Sequence, residues 1–139
     1  MNSPRSDLGK RLAGGVQVLF TALGYASMTE VKLRSGRRVD VMGINEKGHI
    51  LVAEVKSGPA DFRSDGKWAD YLDFCDGFYF AVADDFPQGL LPDDQGLIIA
   101  DPFHAEILRP SQNFTLNATR RRNVTLRFAR QAAERLRQV

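Results

Sequence analysis

The sequence predicts a single α/β domain in which one mixed β-sheet is covered by helices. Three observations support this prediction: an apolar stripe of helical period near the start, short apolar segments of strand character in the middle, and an amphipathic helical tail. A chain of 139 residues, 43% hydrophobic and 26% charged, can bury one core without disulfides or metals. We therefore expect one domain spanning residues 1–139.

The first helix is predicted to open at Ser3-Pro4 and to end near Gly24. Apolar residues recur along it at helical spacing, and we expect this stripe to pack on the sheet: Leu8, Leu12, Val16, Leu19 and Leu23. A first strand from Thr29 to Leu33 follows, and Ser35-Gly36 closes it.

The next two strands are predicted to form a β-hairpin. Both strands and their turn are recognisable from their residues: Val39 to Ile44, Ile50 to Val55, and Asn45 to Gly48. A hairpin centred on Lys47 places Asp40 directly across from Glu54, because opposed residues are equally distant from the centre. A bulge at Gly48 would shift this register by one residue and separate the two carboxylates.

Lys56 is expected on the same face as Asp40 and Glu54, because strand side chains alternate with period two. The segment Ile50 to Ala53 is apolar on both faces, so Glu54 and Lys56 end a buried strand. An ionised carboxylate there is costly unless it is paired or bound to a cation, which favours a metal-dependent phosphodiesterase site. The alternative is a solvated strand end, with Asp40 paired to one of the two arginines before it.

The remaining elements follow in order after a break at Ser57-Gly58-Pro59. We expect a helix that ends near Asp76-Gly77, three short strands, and a long tail helix from Thr119 to Gln138. The three strands are Phe78 to Ala83, Leu97 to Ala100 and, at the sheet edge, Ala105 to Leu108. Residues 111–139 form a basic C-terminal helical segment.

The hairpin and its surroundings resemble the PD-(D/E)XK nuclease superfamily, and more closely the MmcB-type proteins, a bacterial DNA repair family. The resemblance covers most of the chain and rests on these segments: Gly36-Arg37-Arg38-Val39-Asp40-Val41, Glu54-Val55-Lys56-Ser57, Ala60-Asp61-Phe62-Arg63, Asp65-Gly66-Lys67-Trp68-Ala69-Asp70-Tyr71, Cys75-Asp76-Gly77-Phe78-Tyr79-Phe80-Ala81-Val82 and Gly96-Leu97-Ile98-Ile99-Ala100-Asp101. Val39 stands where the superfamily pattern has proline, and it supplies no ligand. The resemblance implies a restriction-endonuclease-like core of order αβββαβ plus a C-terminal helix.

Further residues are candidates for the same site. In branches of the superfamily a Gln-x3-Tyr pair lies beside the active site, and Lys67 and Tyr71 take those places here. Because these two residues are four apart, we expect them to share one face of the helix that follows the hairpin. The resemblance implies that Lys67 contacts a phosphate while Tyr71 hydrogen-bonds nearby; alternatively, Tyr71 belongs to the core and Lys67 is solvated. Glu30 is a candidate for an extra carboxylate ligand. Asp61 and Asp65 are expected to act as helix caps or turn residues.

Basic residues indicate the partner, although a net charge of +2 is too small to prove nucleic-acid binding. Arg38 lies near the hairpin, and Arg120, Arg121 and Arg122 lie at the entrance of the last helix. Because guanidinium groups bind phosphate in bidentate fashion, we expect these residues to contact the DNA backbone without reading bases. The alternative is a solvated helix face.

The sequence and the resemblance together predict a hydrolase of DNA phosphodiesters that acts in repair. Asp40, Glu54 and the backbone carbonyl of Val55 would hold Mg²⁺ or Mn²⁺. Lys56 would orient the attacking water, accept its proton if its own pKa is depressed, or stabilise charge on the phosphate. The rival prediction is a non-catalytic DNA-binding accessory protein of a damage-response or lesion-bypass pathway. A base-specific restriction-like enzyme is disfavoured, because the chain leaves little room for a recognition domain.

The expected location is the cytoplasm, with no membrane contact. No apolar run approaches the about 20 residues that span a bilayer, the N-terminus lacks a signal-peptide pattern, and Cys75 is the only cysteine. Repair proteins are further candidate partners.

Overall fold

The structure is a computed structural model that describes residues 7–138. The predicted opening of the first helix at Ser3-Pro4 lies outside these residues. The described helices and strands are α1 Asp7–Ala22, β1 Tyr25–Lys32, β2 Arg38–Asn45, β3 Ile50–Lys56, α2 Pro59–Arg63, β4 Gly77–Val82, β5 Gly96–Ala100, β6 Ala105–Arg109 and α3 Ala118–Arg137. Two short 3₁₀ helices, Trp68–Phe74 and Gln88–Leu90, precede β4 and β5.

The six strands form one sheet in chain order, with β1 at one edge and β6 at the other. β2 is antiparallel to β1 and β3, β4 is parallel to β3 and β5, and β6 is antiparallel to β5. The parallel pair β3 and β4 needs a crossover, which α2 and the first 3₁₀ helix provide. The predicted mixed sheet, its order αβββαβ and the C-terminal helix are confirmed, although β1 begins at Tyr25 rather than Thr29.

Helices cover both faces of the sheet, so every residue of β3 and β4 is buried. The α1 face includes Leu12, Val16, Leu51, Ala53 and Ile98. The α3 face includes Ile50, Val52, Phe78, Phe80 and Val124. Because side chains alternate along β3, Glu54 and Lys56 belong to the α3 face together with Ile50 and Val52.

The contact face of α1 is rotated from the predicted leucine stripe. Leu8 and Leu23 are 40% and 47% exposed, whereas the buried positions are Gly9, Leu12, Ala13, Gly15, Val16 and Phe20. The reason lies at Gly15, where a Cβ atom would collide with the backbone oxygen of Asp101. This close approach turns the small residues of α1, rather than its outer leucines, toward the sheet.

The segment between β3 and β4 is not the single helix that was expected. α2 ends at Arg63, and the chain then bends before the first 3₁₀ helix. At the bend, the Asp65 carboxylate accepts a hydrogen bond from the backbone N–H of Lys67 at 2.9 Å. Trp68 then stacks on Phe78, with ring centroids 5.9 Å apart, and anchors the 3₁₀ helix to the α3 face.

A buried carboxylate ties the start of α3 to the sheet. Asp76 is 1% exposed and accepts hydrogen bonds from the backbone of Ile50 and Leu116 and from both terminal nitrogens of Arg121, each 2.7 Å away. Burial works against the charged carboxylate, but these bonds outweigh it and hold the pKa of Asp76 at about 2. The Arg121 side chain therefore stabilises the fold by holding α3 to the sheet.

The far end of α3 is tied to the edge strand β1. The Gln131 side chain exchanges two hydrogen bonds with the backbone of Lys32, both 2.8 Å long. Arg135 donates to the carbonyls of Thr29 and Glu30 at 2.6 and 2.7 Å. These bonds occupy backbone groups of β1 that would otherwise be open to another strand. Within residues 7–138, no helix has the length and apolar character to cross a membrane.

Candidate active site

The β2–β3 hairpin has the predicted register. Val41 pairs with Ala53 and Met42 with Val52, and the same register sets Asp40 opposite Glu54. Gly48 has a φ of +81°, so it lies in the left-handed region that glycine favours and closes the turn without a register shift. The predicted placement of the two carboxylates is therefore confirmed.

Where the regular β2–β3 pairing ends, side-chain carboxylates rather than backbone carbonyls accept the hydrogen bonds between the two strands. The N–H of Asp40 donates to Oε1 of Glu54 at 2.9 Å, and the N–H of Val55 donates to Oδ2 of Asp40 at 2.7 Å. Each carboxylate is thus held by the backbone of the opposite strand. This exchange brings the two acidic side chains together at the end of the strand pairing and limits their rotation.

The carboxyl group of Glu54 is held in an unfavourable place for a negative charge. Glu54 is only 5% exposed, and burial raises its pKa well above the usual range. The neighbouring charge of Asp40 raises the pKa further, while the N–H of Asp40 and the charge of Lys56 lower it less. A carboxyl group with a raised pKa beside a second carboxylate is an arrangement that a divalent cation relieves.

Lys56 forms an ion pair that the sequence did not predict. Its ammonium group is buried with only 5% of the residue exposed, and it donates to Oδ2 of Asp65 at 2.6 Å. Burial acts to lower the pKa of Lys56, but the hydrogen bond and charge of Asp65 outweigh it, so the net pKa is raised. Of the three roles predicted for Lys56, accepting a proton required a depressed pKa, and the upward shift disfavours it. Orienting the water and stabilising charge on the phosphate stay predictions.

Asp65 is the functional candidate that sequence reasoning missed. It was expected to be a cap or turn residue, and it does bind the N–H of Lys67. Its second oxygen, however, points to Lys56. Burial alone would raise the pKa of Asp65, yet the bond from Lys56 makes the net shift downward, so both partners carry their charges. Asp61 has the turn role that was one of its two expected roles: it accepts a hydrogen bond from the N–H of Ser57 at 3.1 Å, whereas the N-cap of α2, Gly58, has no side-chain cap.

The carbonyl of Val55 is oriented toward the same point. Its N–H reaches Asp40 on the β2 side of β3. Because the N–H and C=O of one strand residue point to the same side, the carbonyl of Val55 also faces β2. The donor set of two carboxylates and one carbonyl consists of hard oxygens, and it therefore fits Mg²⁺ or Mn²⁺.

Glu30 does not complete a three-carboxylate site. Its backbone has a φ of 53°, unusual for a non-glycine residue, and its carbonyl accepts from Arg135. Among residues 7–138, no three histidine, cysteine or acidic side chains gather closely enough to hold a metal. A cation at Asp40 and Glu54 would therefore take its remaining ligands from the backbone, water or substrate.

Tyr71 belongs to the core beside the carboxylates, while Lys67 is exposed. The Tyr71 hydroxyl donates to the backbone carbonyl of Arg38 at 3.3 Å. Burial and then the charge of Glu54 raise the pKa of Tyr71, so the phenol stays protonated. Lys67 precedes the 3₁₀ helix instead of sharing a helical face with Tyr71, which corrects the predicted geometry.

The three arginines at the start of α3 have different environments. Arg121 binds Asp76 and the carbonyl of Gly48, so we withdraw it from the predicted phosphate contacts. Arg120 donates to the Asp73 carbonyl at 3.0 Å and lies 4.8 Å over the ring of Phe74. Arg122 is exposed. The sequence could not separate them, because which guanidinium turns inward depends on the position of Asp76.

Comparisons with known proteins agree with this architecture. The model of a family described as DNA repair protein MmcB-like matches residues 2–139. A solved structure of a protein of unknown function from Silicibacter pomeroyi is 44% identical, with a TM-score of 0.91. It is matched over 96% of this chain and 91% of its own.

A second solved structure is much more distant. It is a repair endonuclease from Pyrococcus abyssi, 18% identical, with a TM-score of 0.38 over 65% of this chain and 42% of its own. A likeness at this level says nothing about the chemistry of the present chain. No curated protein matches the sequence.

Proposed function

The chain belongs to the MmcB-like DNA repair protein family, and on that premise we propose that it is a metal-dependent nuclease that hydrolyses DNA phosphodiesters. The observation that carries this proposal is the pair of interlocked carboxylates, Asp40 and Glu54, with the charged Lys56 on the same face. Carboxylates at a strand end with a buried cation beside them are suited to activating water against an anionic substrate.

Asp40, Glu54 and the carbonyl of Val55 would hold the metal ion. When bound, Mg²⁺ or Mn²⁺ would polarise the phosphodiester and lower the pKa of a coordinated water. The chain's own contribution is position: the bonds from the N–H groups of Asp40 and Val55 fix both carboxylates before a metal arrives. Such fixed ligands need little rearrangement on binding.

Lys56 is proposed as the group that stabilises negative charge developing on the phosphate. Its raised pKa keeps it protonated at neutral pH, so it acts as a buried cation. Asp65 is a positioning residue, because its 2.6 Å bond holds the ammonium group.

Phosphate contacts outside the metal site are assigned to exposed basic residues. Arg38 and Lys67 flank the site in the chain and are exposed. Tyr71 holds the backbone of Arg38 through its hydroxyl and so positions that residue. On α3, the exposed Arg122 and the half-buried Arg120 are the remaining candidates. These contacts would be to the backbone of DNA and independent of base sequence.

The test is cleavage of labelled single-stranded, duplex, flapped, abasic and branched DNA with Mg²⁺ or Mn²⁺. Glu54→Gln removes the charge while keeping an oxygen for the Asp40 N–H, and should abolish cleavage. Lys56→Met should lower the rate by about 10²- to 10³-fold, as for loss of one electrostatic donor. Glu46→Gln, an exposed carboxylate in the turn of the same hairpin, is the matched control and should leave the rate unchanged.

The outcomes separate the two candidate functions. Cleavage by the parent and by Glu46→Gln, with none by Glu54→Gln, supports the nuclease. If every protein retains DNA and none cuts it, the chain is instead a non-catalytic accessory protein of the repair pathway. Cleavage that survives Glu54→Gln would contradict the proposed site.

A further inference from the structure

A second concave site lies between the β1–β2 hairpin and the first half of α3. It is a pocket of about 310 Å³, at the lower end of the range for small-ligand pockets. Its floor is apolar and consists of Val31, Leu33, Met42, Phe74 and Val124. An apolar floor of this kind binds a flat, uncharged group by excluding water from both surfaces.

The rim of this pocket is positively charged. Lys32, Arg34, Arg120 and Arg127 line it, and no acidic residue does. Within residues 7–138, the side chains of Lys32, Arg34 and Arg127 form no ion pair. A ligand that fits must therefore join an apolar body to negative charges at its margin.

Arg120 gives the pocket a planar surface. Its guanidinium lies over the Phe74 ring, 4.8 Å from the centroid, and the bond to the Asp73 carbonyl holds it there. Arginine planes and aromatic rings are the surfaces on which unpaired bases stack. Asn123, also in the lining, offers an amide that can hydrogen-bond to a base edge.

We propose that this pocket binds one unpaired nucleotide of single-stranded DNA, with the base on the apolar floor and the flanking phosphates on the rim. A base inside a duplex is stacked on both sides and cannot enter, so the pocket selects single strands. The inference rests on DNA being the ligand of the proposed function, but it does not require cleavage.

The pocket and the carboxylates share one side of the sheet. Val31, Leu33 and Met42 of the floor belong to the same hydrophobic core as Ile50 and Val52, which precede Glu54 and Lys56 on β3. Strand β2 contributes to both places, because Met42 lines the pocket and Asp40 belongs to the carboxylate pair. A strand held by one base in the pocket is therefore presented to the face that carries the carboxylates.

Binding is measured by fluorescence anisotropy in EDTA, so that no metal is present and nothing is cut. The probes are a labelled oligothymidylate, an abasic oligonucleotide of equal length and charge, and a duplex. We expect the parent to bind oligothymidylate about tenfold more tightly than the abasic strand. Asn123→Trp fills the pocket from α3 and Ser35→Trp from the hairpin, and each should remove this preference.

The rim is tested by charge removal. Arg34→Gln with Arg127→Gln should weaken binding and lower the slope of log affinity against log salt concentration by about 1.4, since a single-strand phosphate contributes about 0.7. The matched control, Arg130→Gln with Arg137→Gln, removes two exposed charges from the same helix outside the pocket. It should lower the slope by less than half as much.

Three results would overturn the assignment: equal affinity for the oligothymidylate and abasic strands, a base preference that survives both tryptophan variants, or equal effects of the two arginine pairs. An acidic peptide that contains phenylalanine serves as a further probe, because it also joins an apolar group to negative charge. The assignment is likewise overturned if Asn123→Trp weakens binding of this peptide and not of the oligothymidylate. Base-selective binding without cleavage would leave this inference standing and remove the proposed nuclease. Cleavage without a base preference would remove this inference and leave the proposed nuclease standing.

Discussion

The raised pKa of Glu54 makes metal binding dependent on pH, and this can be measured without any substrate. Burial and the charge of Asp40 favour the protonated carboxyl in the metal-free protein. A carboxyl group must lose its proton to bind a divalent cation, so binding releases that proton. Metal affinity should therefore rise up to tenfold, or about 1.4 kcal/mol, per pH unit while Glu54 is protonated, and should level off above its pKa.

Isothermal titration calorimetry with Mn²⁺ provides the assay. The proton release is obtained from the dependence of the observed heat on the ionisation enthalpy of the buffer. The parent should release about one proton per ion at pH values below the pKa of Glu54, and progressively fewer as pH rises above it. Glu54→Gln cannot ionise at this position and should bind weakly with no release. A parent affinity that stays constant between about pH 5 and about pH 8 would refute the assigned protonation state.

The same shift makes the metal-free protein less stable at higher pH. A carboxyl group whose folded pKa is raised stabilises the fold fully below its unfolded pKa, and this contribution is lost as pH rises through the folded value. Glu54→Gln keeps the acceptor for the Asp40 N–H but removes the titration. The Tm of the metal-free parent should thus fall, relative to that of Glu54→Gln, as pH rises above the ordinary glutamate range. A constant difference would contradict this expectation.

Three further predictions concern other residues. Asp76→Asn should lower the free energy of unfolding by about 2 kcal/mol at pH 7, because the pKa of Asp76, about 2, lies below the ordinary 3.8. The parent should lose this stabilisation as pH falls from about 4 to about 2. Urea unfolding that shows equal stability of the two proteins at pH 7 would contradict the prediction. Asp65→Asn removes the charge that raises the pKa of Lys56, so the alkaline limit of the cleavage pH profile should move to lower pH; an unmoved limit would argue against Lys56 as the titrating group. Gly15→Ala should cost about 1–3 kcal/mol through overpacking, whereas Gly14→Ala, whose Cβ meets only ordinary contacts, should be neutral or stabilising; equal effects in thermal unfolding would contradict the close approach.

The hairpin could be predicted because its determinants are local. Asn45 to Gly48 supply the turn, and the apolar run of β3 identifies the strand that enters the interior. Together they leave one register in which Asp40 and Glu54 share a face, and the structure has that register. Lys56 follows from the alternation of side chains. These site residues could therefore be identified from patterns that are local in the sequence.

The features that were missed depend on contacts between distant segments. The face that α1 turns to the sheet is decided at Gly15 by the loop at Asp101, more than half the chain away in sequence. Asp65 reaches Lys56 only because α2 stops and the chain bends, which the expected continuous helix did not include. Similarly, Arg121 differs from its neighbours only through Asp76. Local patterns contain no signal for such pairings.

Two buried carboxyl groups, those of Asp76 and Glu54, have opposite pKa shifts, and the contrast distinguishes a structural role from a functional one. Asp76 accepts four hydrogen bonds, including two from a guanidinium, and its pKa is lowered, as expected of a carboxylate that stabilises structure. The pKa of Glu54 is raised, although an uncharged amide could accept the same Asp40 N–H without that electrostatic penalty. A carboxyl group held where its charge is disfavoured gains by binding a cation. This contrast supports a functional rather than a structural role for Glu54.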